Sequence, residues 1–85
     1  MKKAFLRGFQ KDYSRLPKPV QEALEKQLRL LESDPGHPSL RRKKLKGQPD
    51  IWWCRATQGY RFTYQIIGDT CVFRRVGPHD IERNP

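Results

Sequence analysis

The sequence predicts an α+β fold, an N-terminal helical hairpin packed on one face of a curved antiparallel sheet of about four strands. Two features of residues 1–85 predict it. Apolar residues recur at helical spacing in two successive stretches of the first third. Beyond His37-Pro38 the period changes to runs of β-branched and aromatic residues separated by glycine-bearing turns.

In residues 5–16, Phe5, Phe9, Tyr13 and Leu16 stand at i, i+4, i+8 and i+11, one stripe of a helix. Leu16-Pro17-Lys18-Pro19 interrupts it, because a residue before proline is pushed out of the helical region. Proline is tolerated in a first helical turn, so a second helix starts there. Val20, Leu24, Leu28 and Leu31 continue at helical spacing, with Ala23 and Leu30 widening the apolar face. On the solvent side Lys18–Glu22, Glu22–Lys26 and Glu25–Arg29 are i,i+4 pairs, each adding a few tenths of a kcal/mol. Ser33-Asp34-Pro35-Gly36 stops the helix.

Residues 51–57, 60–67 and 71–76 read as a three-stranded antiparallel meander, with Gln58-Gly59 and Gly68-Asp69 as tight turns. In the middle strand Tyr60, Phe62, Tyr64 and Ile66 are expected to face the helices. Arg61, Thr63, Gln65 and Ile67 then lie on the opposite, free face. Arg41-Arg42-Lys43-Lys44-Leu45-Lys46 is compatible with a short edge strand, since lysines suit an exposed edge. A few N-terminal residues are compatible with another.

Eighty-five residues make one domain, 1–85, with no internal repeat or linker. A chain of this size buries only about 60–65% of its unfolded surface, which excludes an enclosed cofactor cavity but leaves room for a shallow surface site. No stretch approaches the ~18 apolar residues of a membrane span, and the N-terminus lacks a signal-peptide core, so a cytoplasmic protein without a membrane partner is expected. The net charge is +9, from 18 basic and 9 acidic residues. It is uneven: residues 1–36 carry eight basic and five acidic groups, residues 37–85 ten and four. Such an excess favours polyanionic partners: nucleic acid, a ribosome or an acidic protein. Cys54 and Cys71 sit in strand-like runs and match no zinc spacing, and His37 and His79 add none, so reduced core thiols and no metal or cofactor are expected.

Four groups of residues can carry chemistry. The run Arg41–Lys46 places five cations in six positions, suited to a phosphate backbone. Alternation puts Arg61, and Arg55 on the neighbouring strand, on the free face with no acidic residue between them. Arg74 and Arg75 are adjacent, so one points to each face or to a rim. Of Trp52-Trp53, alternation sends Trp53 to the cationic face, where it can stack on a base. His79 follows the last strand, with Asp80 as a carboxylate neighbour, and histidine is the side chain suited to proton transfer near neutrality.

Several of these residues fall in an ordered set of short motifs. Phe9-x-x-x-Tyr13-x-x-Leu16-Pro17, Asp34-Pro35-x-x-Pro38-x-Leu40, Lys44-Leu45-Lys46-Gly47, Trp52-x-x-Arg55, Gly59-Tyr60-Arg61-x-x-Tyr64 and Val76-Gly77-x-His79-Asp80 resemble the RelE/ParE superfamily. These are toxins of bacterial type II toxin–antitoxin modules, and the likeness is to the RelE-like ribonucleases more than to the ParE-like gyrase poisons. The resemblance implies a small RelE-like, microbial-RNase-like α+β domain that inhibits translation. It implies a metal-independent endoribonuclease that cuts mRNA, in many members only within the ribosomal A site, the 2′-hydroxyl attacking the adjacent phosphate. By position it assigns Lys44 and Lys46 to charge stabilisation and proton abstraction, Arg61 to the scissile phosphate, and His79 to protonation of the leaving 5′-oxygen. Arg41, Arg42, Lys43, Trp53, Arg55 and Arg75 would be further RNA contacts. The implied partners are mRNA, the ribosome and a cognate acidic antitoxin. Relatives often carry a tyrosine beyond the last strand; Ile81-Glu82-Arg83-Asn84-Pro85 holds none, so either His79 takes over its role or the activity is weak or lost. Two readings of other classes stay open: a gyrase-binding toxin without catalysis, and an inactive RNA- or ribosome-binding module.

Overall fold

Leu6 is extended and donates its N–H to the Phe73 carbonyl, so the chain begins as a strand on the sheet edge rather than as a helix. The structure, a computed structural model, describes residues 1–47 and 50–85. Its strands are β1 (Lys2–Phe5), β2 (Lys43–Lys44), β3 (Ile51–Arg55), β4 (Tyr60–Ile67) and β5 (Thr70–Pro78). Its helices are α1 (Arg7–Ser14) and α2 (Lys18–Ser33), with short 3-10 turns at Pro38–Leu40 and His79–Arg83.

The five strands form one sheet in the order β1-β5-β4-β3-β2. The meander and its basic edge strand are antiparallel as expected. β1 instead pairs in parallel with β5, so the sheet is mixed and has one strand more than the expected four or so. Phe5 therefore serves a strand and not the first helix. It stacks on Phe73 with ring centroids 5.0 Å apart.

The expected inner set does face the helices. Phe62 and Tyr64 are buried with Leu24 and Leu31 of α2 and Phe9 of α1, around Phe73. The Phe73 ring lies 5.8 Å from Phe9 and 6.2 Å from Phe62. Buried Gln27 of α2 donates to the carbonyls of Ser39 and Arg55, tying the helix to the first 3-10 turn and to the end of β3. Cys54 and Cys71 are buried free thiols. Desolvation pushes them up to about 12 and about 11 from 9.0. His37 accepts from the Ser39 N–H and caps the first 3-10 turn. Among the described residues no helix is long and apolar enough to cross a membrane.

The opposite face of the sheet is not free, which corrects the expectation. Thr63, at its centre, is fully buried. Residues 79–85 fold across it: Ile81 is buried, and the Pro85 carbonyl accepts from Thr63 Oγ1 and Arg74 Nε. A register shift after Thr63 leaves Arg74 unmatched, with Thr63 opposite Arg75 and Tyr64 opposite Phe73. This bulge resolves the Arg74-Arg75 ambiguity. Both side chains reach the same segment, Arg74 to Pro85 and Arg75 to the Asn84 carbonyl.

Beyond Phe73 the outer edge of β5 has lost β1, and α1 takes its place. Asp12 accepts from the Val76 N–H at 3.2 Å, an edge donor with no strand partner, and from Arg75 Nε at 2.6 Å and Nη2 at 3.3 Å. Removing the carboxylate strands these three donors. Asp12→Ala is expected to lower stability by about 2 kcal/mol, read by urea unfolding; a loss below a few tenths would mean the pairing is idle. Because both thiols are raised in the fold, the unfolded chain ionises first. Their contribution is full below about pH 9 and is lost as pH rises towards 11–12. Alkaline melting curves are expected to fall less steeply for Cys54→Ala than for the parent.

Candidate functional site

Arg55 and Arg61 are directly opposite each other in the β3–β4 ladder. Like charges so placed repel, and a guanidinium enclosed among sheet residues has little water to screen it. Two contacts hold Arg61 there. Its guanidinium lies over the Trp53 ring, 4.6 Å from the centroid, and its Nε is 3.7 Å from Glu82 Oε1. That last separation is an ion pair but too long for a hydrogen bond. Among the described residues the buried side-chain nitrogens left without a hydrogen-bond partner are Arg55 Nε and Arg61 Nε. The site is thus a pair of unsatisfied cationic donors on one face of the sheet.

Residues 79–85 supply the rest. Gly77 is the cross-strand partner of Arg61, and a Cβ at Gly77 would stand 2.8 Å from Ile81 Cγ2. Only glycine lets Ile81 approach so closely, and Ile81 fixes the 3-10 turn beside Arg61. Within the turn His79 and Glu82 are three residues apart and share a side, with His79 Nε2 3.4 Å from Glu82 Oε2. The Arg61 side chain is 12% exposed, Glu82 25% and His79 71%, so the group opens outward through the histidine.

Of the residues expected to act, the structure brings Arg61 and His79 together, through Glu82, with Arg55 and Trp53 adjacent. The expectation of no acidic residue on this face is corrected by Glu82, and the partner of His79 is Glu82 rather than Asp80. The basic run divides. Lys43 is paired with Trp53 and shares its face, whereas Lys44 is paired with Trp52 and faces the opposite way. Lys46 is exposed in the turn after β2, and Arg41 is exposed at the end of the first 3-10 turn with φ 51°. Arg42 lies over the Trp52 ring at 5.0 Å, on the helix side. Arg75 is no free phosphate contact, because its donors are taken by Asp12 and Asn84. Trp53 is half-buried under Arg61 rather than an open stacking platform. Sequence reasoning missed Glu82; its one legible signal was the i,i+3 spacing from His79.

On the helix side an apolar groove of about 240 Å³ runs between α2 and the sheet, lined by Leu28, Leu31, Trp52, Tyr64 and Ile66, with Lys3 and Arg42 among its walls.

No protein-family model matches the chain. No curated protein matches it either. Solved structures do. A YoeB/ParE toxin from Agrobacterium tumefaciens superposes with a TM-score of 0.79 at 22% identity, covering 93% of this chain and 99% of that one. A chain of the RelB–RelE antitoxin–toxin complex from Methanococcus jannaschii gives 0.76 at 23%, covering 95% of each. The isolated RelE toxin of E. coli gives 0.71 at 28%, covering 91% of this chain and 82% of that one.

Gly77→Ala tests the close approach. It is expected to cost roughly 1–3 kcal/mol in denaturant unfolding, through displacement of Ile81, with spectra showing the sheet retained. An unchanged midpoint would mean that the 3-10 turn is not seated there.

Proposed function

We propose, from the RelE/ParE-superfamily fold of this chain, that it is the toxin component of a type II toxin–antitoxin module and a metal-independent endoribonuclease that cuts mRNA on the ribosome. The observation that carries the reading is the opposed pair Arg55 and Arg61, whose buried Nε atoms lack hydrogen-bond partners, linked through Glu82 to His79. Attack of a 2′-hydroxyl on phosphorus builds negative charge on the non-bridging oxygens, and preorganised guanidiniums offset it. His79, exposed at the rim, would protonate the departing 5′-oxygen. Lys43 on the same face, with exposed Lys46 in the turn beyond β2, would hold the flanking phosphates.

The partner of such a toxin would be an acidic antitoxin. A charge of +9 and the apolar groove, with Arg42 at its wall and Lys3 paired there with Glu32, suit an acidic segment with an apolar face. Among the similar structures, DinJ–YafQ and RelB–RelE are toxin–antitoxin complexes.

Induced expression is expected to halt translation, with new 5′ ends in cellular mRNA mapped by primer extension. Arg61→Ala and His79→Ala should each reduce cleavage about 10²-fold or more without unfolding the protein. Stalled replication with intact mRNA would sink the nuclease reading in favour of a gyrase poison; stalled translation with intact mRNA would reduce it to ribosome binding.

A further inference from the structure

Cleavage by a 2′-hydroxyl needs a group that takes its proton, positioned beside the cation that holds the phosphate. The ladder turns Lys44 away from Arg61, and Lys46 is exposed in the turn beyond β2. Ammonium groups are, moreover, proton-loaded at neutral pH, whereas carboxylates are ready to accept. One carboxylate meets both requirements. Glu82 has Oε1 at 3.7 Å from Arg61 Nε and Oε2 at 3.4 Å from His79 Nε2, and it remains a quarter exposed. It is held by construction, since the turn that carries it is seated on Gly77 through Ile81.

We propose that Glu82 is the general base of this site, an inference that rests on the endoribonuclease reading above. The Glu82 carboxylate takes the proton of the 2′-hydroxyl, and the freed oxygen forms the new bond to phosphorus. The bond from phosphorus to the 5′-oxygen breaks as protonated His79 gives its proton to that oxygen. Arg61 and Arg55 face the charge on the non-bridging oxygens. The products are a 2′,3′-cyclic phosphate and a 5′-hydroxyl, with Glu82 now protonated and His79 neutral. Their contact returns the proton from Glu82 to His79 and resets both groups. In the resting protein the same carboxylate offsets the Arg55–Arg61 repulsion, so an incoming phosphate takes over that role as Glu82 turns to the 2′-hydroxyl.

The experiment compares the full chain with Glu82→Gln, Glu82→Asp and His79→Ala, on ribosomes programmed with a short mRNA. Two messages are used, one natural and one with sulfur in place of the bridging 5′-oxygen at the scissile position. Sulfur leaves without a proton, so it bypasses an acid but not a base. On the natural message Glu82→Gln and His79→Ala should each cleave about 10²–10⁴-fold more slowly. On the sulfur message His79→Ala should regain most of its rate while Glu82→Gln does not. Glu82→Asp, which keeps a carboxylate on a shorter side chain, should fall between. Cleavage by Glu82→Gln at the parent rate or faster would overturn the inference, leaving Glu82 as a cover on Arg61. Rescue of Glu82→Gln by sulfur would also overturn it, since Glu82 would then act only through His79. Parent protein that cuts neither message removes the nuclease reading itself, a result distinct from either.

Discussion

Everything at the candidate site depends on how residues 79–85 close over the second face of the sheet. A sheet in so short a chain has helices enough for one side only, and Thr63 at the centre of the other side is nonetheless fully buried. The cover has little apolar surface of its own. Ile81 is its one buried residue, and the rest of the attachment is polar: the carbonyls of Asn84 and Pro85 accept from Arg75, Arg74 and Thr63. Hydrogen bonds from charged donors are among the stronger ones available, and here they replace the missing hydrophobic layer. The bulge at Arg74 is what lets two adjacent arginines contribute to one side.

The same basic composition thus serves two purposes. Arg74 and Arg75 are used up in holding the structure together, with Asp12 of α1 completing the tie. Arg55 and Arg61 are left with unpartnered nitrogens and only partial compensation from Glu82. Net charge cannot separate these roles. The position of each arginine relative to the bulge and to the segment 79–85 does.

The meander and the helical hairpin were legible because each rests on a repeat: apolar residues at helical spacing in α2, strict alternation in β4, glycine at the turns. The alternation also put Trp53, Arg55 and Arg61 on one face, as the ladder has them. β1 was harder. Lys-Lys-Ala-Phe has no alternation and little β-branching, and it is a strand because the edge of β5 offers it hydrogen bonds, a tertiary cause. The closure by residues 79–85 was illegible for a related reason, since a 3-10 turn of five residues has no period to detect. Asp12 and Arg75, 63 positions apart, share no local pattern either. Glu82 entered the site by this long-range folding, and so the carboxylate that pairs with Arg61 was the residue missed.

The parallel pairing of β1 with β5 joins Lys2 to Thr70 across a long stretch of intervening sequence. Such a contact is entropically late: it cannot form until the intervening segments have been made and have found their places. On a polypeptide emerging from a tunnel, β1 waits until β5 has followed it out, and Arg61 waits for the turn at residues 79–83. Assembly of the cationic face is therefore coupled to the emergence of residues 70–85, so a nascent segment that stops short of them has Arg55 and Arg61 but not their geometry.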